Sequence, residues 1–397
     1  MLKRNEQSVY LDYAASTPLD PTVVAAMQAE LESDALTANA SSTTHAAGRR
    51  AGERVEQARA DVAALVGAVP ADIVFTSGAT EADNLALFGT ARYRRGDGRH
   101  ILGARTEHKA ITDSLKQLAV EGFDVEWLPV DAAGAVTLDA VESRLRDDTI
   151  LVTVMAVNNE LGTISDVGAI ARLCRARGIS CHVDAAQVPG KLGLDIAAVP
   201  ADTIALSAHK MYGPKGIGAL VCPAEFAPRL TPLLFGGGQE RGLRPGTPAT
   251  HQAVGFGQAA KRCIELATED NAWAKRLSER LVQGLVGVPG VQHNAVSGPR
   301  VPHIVSVSVA DVNGESLVYA MDPIAVSTGS ACATARREPS AVLHAIGLDS
   351  ALAESTLRFS LGRFTSEADV DAAIAQFSAA VGHLRAAGAE PEPVLRP

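Results

Sequence analysis

Apolar positions along this chain gather in short blocks, and the blocks keep a rhythm. Between about Thr22 and Leu266 they read DIVFTSG, HILGA, DVEWLPV, TILVTVMAV, ISCHVDA, DTIALSA and GIGALVC. Each is bounded by Gly, Pro or Asp and is apolar on successive residues, as suits strands buried on both faces. The stretches between them, Glu53–Val66, Ala110–Glu121 and Val167–Arg177 among them, carry helical spacing. Strand and helix in alternation predict an α/β fold, a mainly parallel seven-stranded sheet between helices. Ligands in such sheets bind where strands end at their carboxyl side.

Past Leu266 the rhythm changes. A charged helical stretch from Asp270 to about Leu285 precedes a strand-like HIVSVSV and a second helical segment, EADVDAAIAQFSAAVGHLRAA. The expected division is a large α/β domain over residues 18–266, with a smaller α+β domain formed by residues 1–17 and 267–397.

Composition narrows the classes of function. The formal charge is −9 over 397 residues, which repels phosphate backbones and anionic lipid, so no direct nucleic-acid or membrane partner is expected. No apolar run approaches the ~20 residues of a membrane span, and the start MLKRNEQSVYLDY has no signal core. A cytoplasmic protein is expected. The five cysteines, Cys174, Cys181, Cys222, Cys263 and Cys332, form no CxxC and no zinc spacing. Four lie in apolar or helical stretches. Cys332 sits instead in AVSTGSACATARREPS, small residues with little to bury.

Several motifs fall at strand ends. In VFTSGATEADN a strand passes through Ser77-Gly78 into a helix near Ala79-Thr80, where free backbone N–H groups can hold an anion or where Ser and Thr simply cap the helix. CHVDAAQ puts Asp184 at a strand end, with Gln187 three residues on. TEHKAI puts His108 at a helix start, and VNNELG puts Asn158 and Asn159 in a turn. ALSAHKMYGPKG puts Lys210 where an apolar strand runs out into a glycine-rich bend. The loop FGGGQERGLRPGT either closes over an anion or connects elements. GFGQAA matches a dinucleotide fingerprint only in letters, since no strand precedes it. Each motif alone has a plain structural explanation. Together they ask for a ligand with an anionic group, a ring nitrogen, a flat ring facing His108 and a carbonyl that condenses with lysine, which are the features of pyridoxal 5′-phosphate.

The chain closely resembles a known family. YLDYAASTPLDP, IVFTSGATEADNLA, TEHKAI, VNNELGT, HVDAAQ, SAHKMYGPKGIGAL, GGGQERGLRPGT, STGSACAT with EPSAVL, and LRFSLGRFT are similar to the cysteine desulfurases of the IscS/NifS type, in the class-V branch of fold-type I pyridoxal-phosphate enzymes. The likeness runs from about Val9 to about Arg385. It implies a fold-type I large domain, L-cysteine as substrate, a homodimer, and sulfur-acceptor proteins serving iron–sulfur cluster assembly or tRNA thiolation.

By motif it also implies roles. Lys210 would form the Schiff base. Ala79, Thr80, Ser207 and His209 would bind the phosphate, with Thr247 reaching that of a neighbouring subunit. Asp184 would pair with the ring nitrogen, Gln187 and Asn159 would contact the ring hydroxyl, and His108 would stack on the ring and move protons. Arg358 would hold the substrate carboxylate, with Asn159 also touching substrate, and Cys332 would take the sulfur as a persulfide. No metal is implied. Departures such as Ser16, Ala208 and Ala38-Asn39-Ala40 remove no chemical group from this set. The rival readings are a selenocysteine lyase or another class-V aminotransferase and, further off, a non-catalytic sulfur-relay scaffold.

Overall fold

The computed structural model describes residues 8–33, 37–328 and 340–389. After a short strand β1 (Val9–Tyr10), helices α1 (Pro21–Leu31) and α2 (Ala46–Leu65) lead into the large sheet. Asp20 starts α1 by accepting from the Thr22 N–H, with proline in the first turn.

The seven apolar blocks form seven strands: β2 (Ile73–Thr76), β3 (His100–Ala104), β4 (Asp124–Leu128), β5 (Thr149–Met155), β6 (Ser180–Asp184), β7 (Thr203–Ser207) and β8 (Gly218–Val221). They make one sheet in the order β2-β8-β7-β6-β5-β3-β4. Only β8 runs antiparallel to its neighbours, so the sheet is mainly parallel.

Alternate residues of these strands feed two apolar layers. Val152, Val154, Ile204, Leu206 and Val221 pack with α2, α6 (Val167–Ala176) and α7 (Thr250–Val286). Leu151, Ala205 and Leu220 pack on the other face with α3 (Ala79–Tyr93) and α4 (Lys109–Val120). Each fully buried Leu, Ile, Val or Phe in these layers stabilises by about 1.5–3 kcal/mol before entropy is counted.

The remaining residues build a second core. Strands β9 (Val291–His293), β10 (Ile304–Val309), β12 (Ser327–Thr328) and β13 (Thr356–Ser360) pair antiparallel in the order β12-β13-β10-β9, and β11 (Ile324–Ala325) pairs with β1. HIVSVSV is β10, and its alternation has a cause. Val305, Val307 and Val309 face Phe359 and Phe377, whose rings meet edge-on at 6.0 Å. Ser306 and Ser308 face a buried polar cluster, where Asn294 Nδ2 donates to both hydroxyls at 3.1 and 2.9 Å. Helices α8 (Gly314–Ala320), α9 (Ala341–Ala345), α10 (Ser350–Glu354) and α11 (Glu367–Ala389) complete this half, and α5 (Leu138–Glu142) lies in the first.

The helix expected from Asp270 is the second half of α7, a single helix of 37 residues. Its Ala253, Phe256 and Ala260 lie in the first core and its Leu277, Leu281 and Leu285 in the second. Among the described residues no helix is long and apolar enough to cross a membrane, and no cluster of His, Cys, Asp and Glu could hold a metal.

Candidate active site

A cavity of about 960 Å³ opens at the carboxyl ends of the parallel strands. It gathers Ala79, Thr80, His108, Asn159, Asp184, Ser207, His209, Lys210 and Arg358 on one wall or another. Gln187 is buried just behind it, with Nε2 donating 2.7 Å to the carbonyl of Ala14. Thr247 is exposed and does not line it. Cys332 lies outside the described residues.

The start of α3 forms one end of the cavity. Gly78 precedes the helix at φ 158° and ψ 179°, a conformation nearly confined to glycine, and no side chain caps the first-turn N–H groups. A Cβ on Gly218 of the neighbouring β8 would come within 2.6 Å of the Gly78 Cα, so the turn tolerates no side chain there. Uncapped N–H groups at a helix start carry partial positive charge into the cavity. Ser207, whose Oγ is buried without a hydrogen-bond partner, and His209 line the same space. The glycine-rich loop is anchored rather than loose. Arg244 pairs with Glu81 at 3.0 Å, while Glu240 accepts from Arg59 at 2.7 Å and from the N–H of Phe75 at 2.8 Å.

His108 caps α4, its Nδ1 accepting from the Ala110 N–H at 3.1 Å. That bond leaves the proton of the neutral ring on Nε2. Burial, and then the charge of Lys210, holds His108 below the usual histidine range, so the ring is neutral near pH 7. The capping explanation and the functional one are thus both met by one side chain.

Asp184 ends β6 and accepts from the Ala186 N–H at 2.9 Å. Two further buried carboxyls stand beside it, Asp83 and Glu107. Burial first, then the charge of Asp184, pushes both well above the ordinary carboxylate range. Asp83 Oδ1 meets Nε2 of His182 at 3.1 Å, and burial draws His182 down to about 4. Carboxyls crowded in so dry a place disfavour one another's charge, and Asp83 and Glu107 are the ones pushed up.

Lys210 sits in a single 3₁₀ turn after β7 (Ala208–Lys210). Its place is fixed from two sides. Thr17 ties its N–H and hydroxyl to the carbonyl of His209 at 2.8 and 3.0 Å and takes the Tyr212 N–H at 2.6 Å. Tyr212 itself has φ 64°.

Arg358, on β13, is held by two nitrogens. Nη1 donates to the Asn159 carbonyl at 2.9 Å and Nη2 to Asp12 at 2.6 Å. Its Nε is buried without a partner. A guanidinium tethered this way keeps a donor for an incoming carboxylate. Asn158 serves the turn instead, its Oδ1 taking the N–H groups of Glu160 and Leu161.

Sequence reasoning missed Asp12, Asp83, Glu107, His182 and Lys191. Nothing local marks them. Asp12 meets Arg358 across 346 residues of chain, and the others read as ordinary helix or strand-end residues.

The family model for class-V aminotransferases matches residues 9–373. Among curated relatives, the cysteine desulfurase IscS of Vibrio cholerae serotype O1 is 48% identical over 378 residues, 95% of this chain and 94% of that one. Among solved structures, a NifS-like protein superposes with a TM-score of 0.88 at 33% identity, covering 95% of this chain and all of its own. A protein described as SspA in complex with cysteine reaches a TM-score of 0.80 at 35% identity, covering 90% and 100%.

Proposed function

Because this chain belongs to the class-V aminotransferase family and stands among its cysteine desulfurases, we propose that the cavity holds pyridoxal 5′-phosphate and takes the sulfur from L-cysteine. The observation that carries this reading is convergence. A lysine, an uncapped helix start, a strand-end carboxylate and a tethered arginine meet in one cavity, and buried polar atoms there still want partners. Ser207 Oγ suits a phosphate oxygen, Gln187 Oε1 a ring hydroxyl and Arg358 Nε a carboxylate.

The N–H groups of Ala79 and Thr80, with Ser207 and His209, would hold its phosphate. Thr247, exposed in one chain, would reach the phosphate of a second copy in a homodimer. Asp184 would pair with the ring nitrogen, Gln187 and Asn159 would hold the ring hydroxyl, His108 would stack on the ring, and Lys210 would join the carbonyl. Bound there, the coenzyme supplies a sink for the electron pair left at the substrate α-carbon.

The side chains do the rest. Arg358 and Asn159 orient the cysteine, and two fixed hydrogen bonds on the guanidinium mean that little is lost in ordering it. Lys210, as the neutral amine, takes the α-proton. His108 carries its Nε2 proton towards the reacting atoms. The Cys332 thiolate attacks the substrate sulfur, so that an S–S bond forms as the Cβ–S bond breaks. The electron pair stays with the three-carbon fragment, which takes a proton and leaves as L-alanine. The persulfide on Cys332 then passes to an acceptor protein serving iron–sulfur cluster assembly or tRNA thiolation.

The test is mass spectrometry of the Cys332 peptide after incubation with L-cysteine. The expected result is a one-sulfur adduct that a reductant removes, absent from Cys332→Ser although that variant keeps the visible absorption of the cofactor. An adduct on Cys174, Cys181, Cys222 or Cys263 alone, or sulfide release undiminished in Cys332→Ser, would remove Cys332 from the reaction.

A further inference from the structure

Lys191 follows β6 in the turn after Gln187 and is buried to within 7% of full exclusion. Its backbone N–H bonds the carbonyl of Val188. Its ammonium donates to the main-chain carbonyl of Lys210 at 3.3 Å. Among the described residues no carboxylate lies within ion-pair distance of it. A buried cation without a counter-ion is costly and calls for a reason.

Its other neighbours are neutral. Cys263 packs against this turn, its Sγ reaching the carbonyl of Met211, and burial keeps its thiol protonated by pushing it up to about 12. His303 is buried, and burial together with the Lys191 charge draws it down to about 3. The Lys191 charge acts on Lys210, and the two cations oppose each other. Burial and Lys210 bring Lys191 down to about 8, so it still carries its charge at neutral pH.

The other titratable groups around Lys210 include Asp83 on α3, His108 at the start of α4, Asp184 at the end of β6, His209 beside it and Lys215 in the bend that follows. Asp83 is pushed up by burial and by its acidic neighbours, and His108 and His209 are held low by burial and then by Lys210. Of the cations the proposed chemistry leaves unused, Lys215 lines the cavity, and Lys191 is the buried one that bonds the Lys210 main chain.

We propose that Lys191 is a positioning residue for Lys210: its ammonium fixes the Lys210 carbonyl, and its charge favours the neutral amine on the Lys210 side chain. The proposal rests on the reading of Lys210 as the reacting amine. A lysine that must act as nucleophile and base at neutral pH is activated by burial or by a neighbouring cation, and Lys191 supplies the cation from behind the turn, clear of the cavity lining.

The test is competitive acylation of the full chain with acetic anhydride, before cofactor is added, followed by mass spectrometry of the Lys210 peptide. Exposed Lys116 serves as the internal reference. Lys191→Gln keeps a donor for the carbonyl and removes the charge. It is expected to lower the Lys210 acylation rate at pH 7.5 by about tenfold, an upward move of about one pH unit in its titration. Lys191→Met should give the same fall, so the question stays open to refutation if the glutamine variant folds poorly. Lys191→Arg, which keeps the charge, should stay within about twofold of the parent.

A Lys210 rate unchanged in Lys191→Gln and Lys191→Met overturns the proposal. So does an equal fall in Lys191→Arg, which would make the effect one of packing. Colour on adding pyridoxal 5′-phosphate to the parent protein reports separately on the cavity's occupant. Failure of that reading is therefore distinguishable from failure of this one.

Discussion

Lys210→Ala is expected to lower alanine release from L-cysteine by about 10³–10⁴-fold while the protein stays folded. The loss has two parts. In the proposed reaction the side chain is both the amine that joins the cofactor and the base that takes the α-proton, a role that alone contributes about 10²–10⁴-fold. The fold should survive because the turn is held through backbone and neighbours. Thr17 ties the His209 carbonyl and the Tyr212 N–H, and Gly213 bonds back to Ala208. The yellow colour should shift or fade in the variant. Small primary amines should restore part of the rate, since alanine leaves room for the lost stem. Steady-state alanine release and the visible spectrum check both points. A variant that turns over within tenfold of the parent would place the base elsewhere.

Arg363→Met should cost the fold about 3–5 kcal/mol, the range for breaking a buried ion pair by removing one partner. Arg363 follows β13 and reaches back to the first core. Nη1 meets Asp20 at 2.5 Å, Nε and Nη2 meet Asp270 at 3.0 and 2.8 Å, and the guanidinium lies 4.2 Å over the ring of Tyr212. The arginine is 10% exposed and its two acids 4% and 7%. Methionine fills much of the volume but takes the guanidinium from both buried acids, leaving Asp20 with the Thr22 donors and Arg262 at 3.8 Å. The urea midpoint should fall, with the slope unchanged. Adding Asp20→Asn and Asp270→Asn to the same chain should recover part of the loss, because the penalty lies in the stranded charges. A midpoint shift worth under about 1 kcal/mol would mean that water reaches both acids.

Most of the large sheet was legible, for a reason that also limits the reading. A strand buried on both faces must be apolar at successive positions; all seven blocks are strands, six of them buried throughout, while β4 at the sheet edge is only partly buried. The residues of the cavity were legible as types at strand ends, where backbone geometry leaves room for a ligand. What failed to show was anything defined by a distant partner. Asp12 reads as an ordinary acid until β13 brings Arg358 to it. Asp83, Glu107 and Lys191 carry no local mark of burial. Glu240 looks like one residue of a loose loop, yet it caps an open N–H of β2 at Phe75 and pairs with Arg59. The change of pattern near Leu266 falls inside α7, whose earlier residues pack in the first core and whose later residues pack in the second. The helix itself does not stop there.

That helix has a mechanical consequence. At about 1.5 Å per residue, α7 is a rod of about 55 Å, and its two ends are cemented into separate apolar masses. Neither mass can swivel on the other as if on a string, because the rod transmits torque between them. Relative movement of the halves has to be absorbed by flexing along the rod or by the non-helical crossings, and melting of one half pulls the splint out of the other.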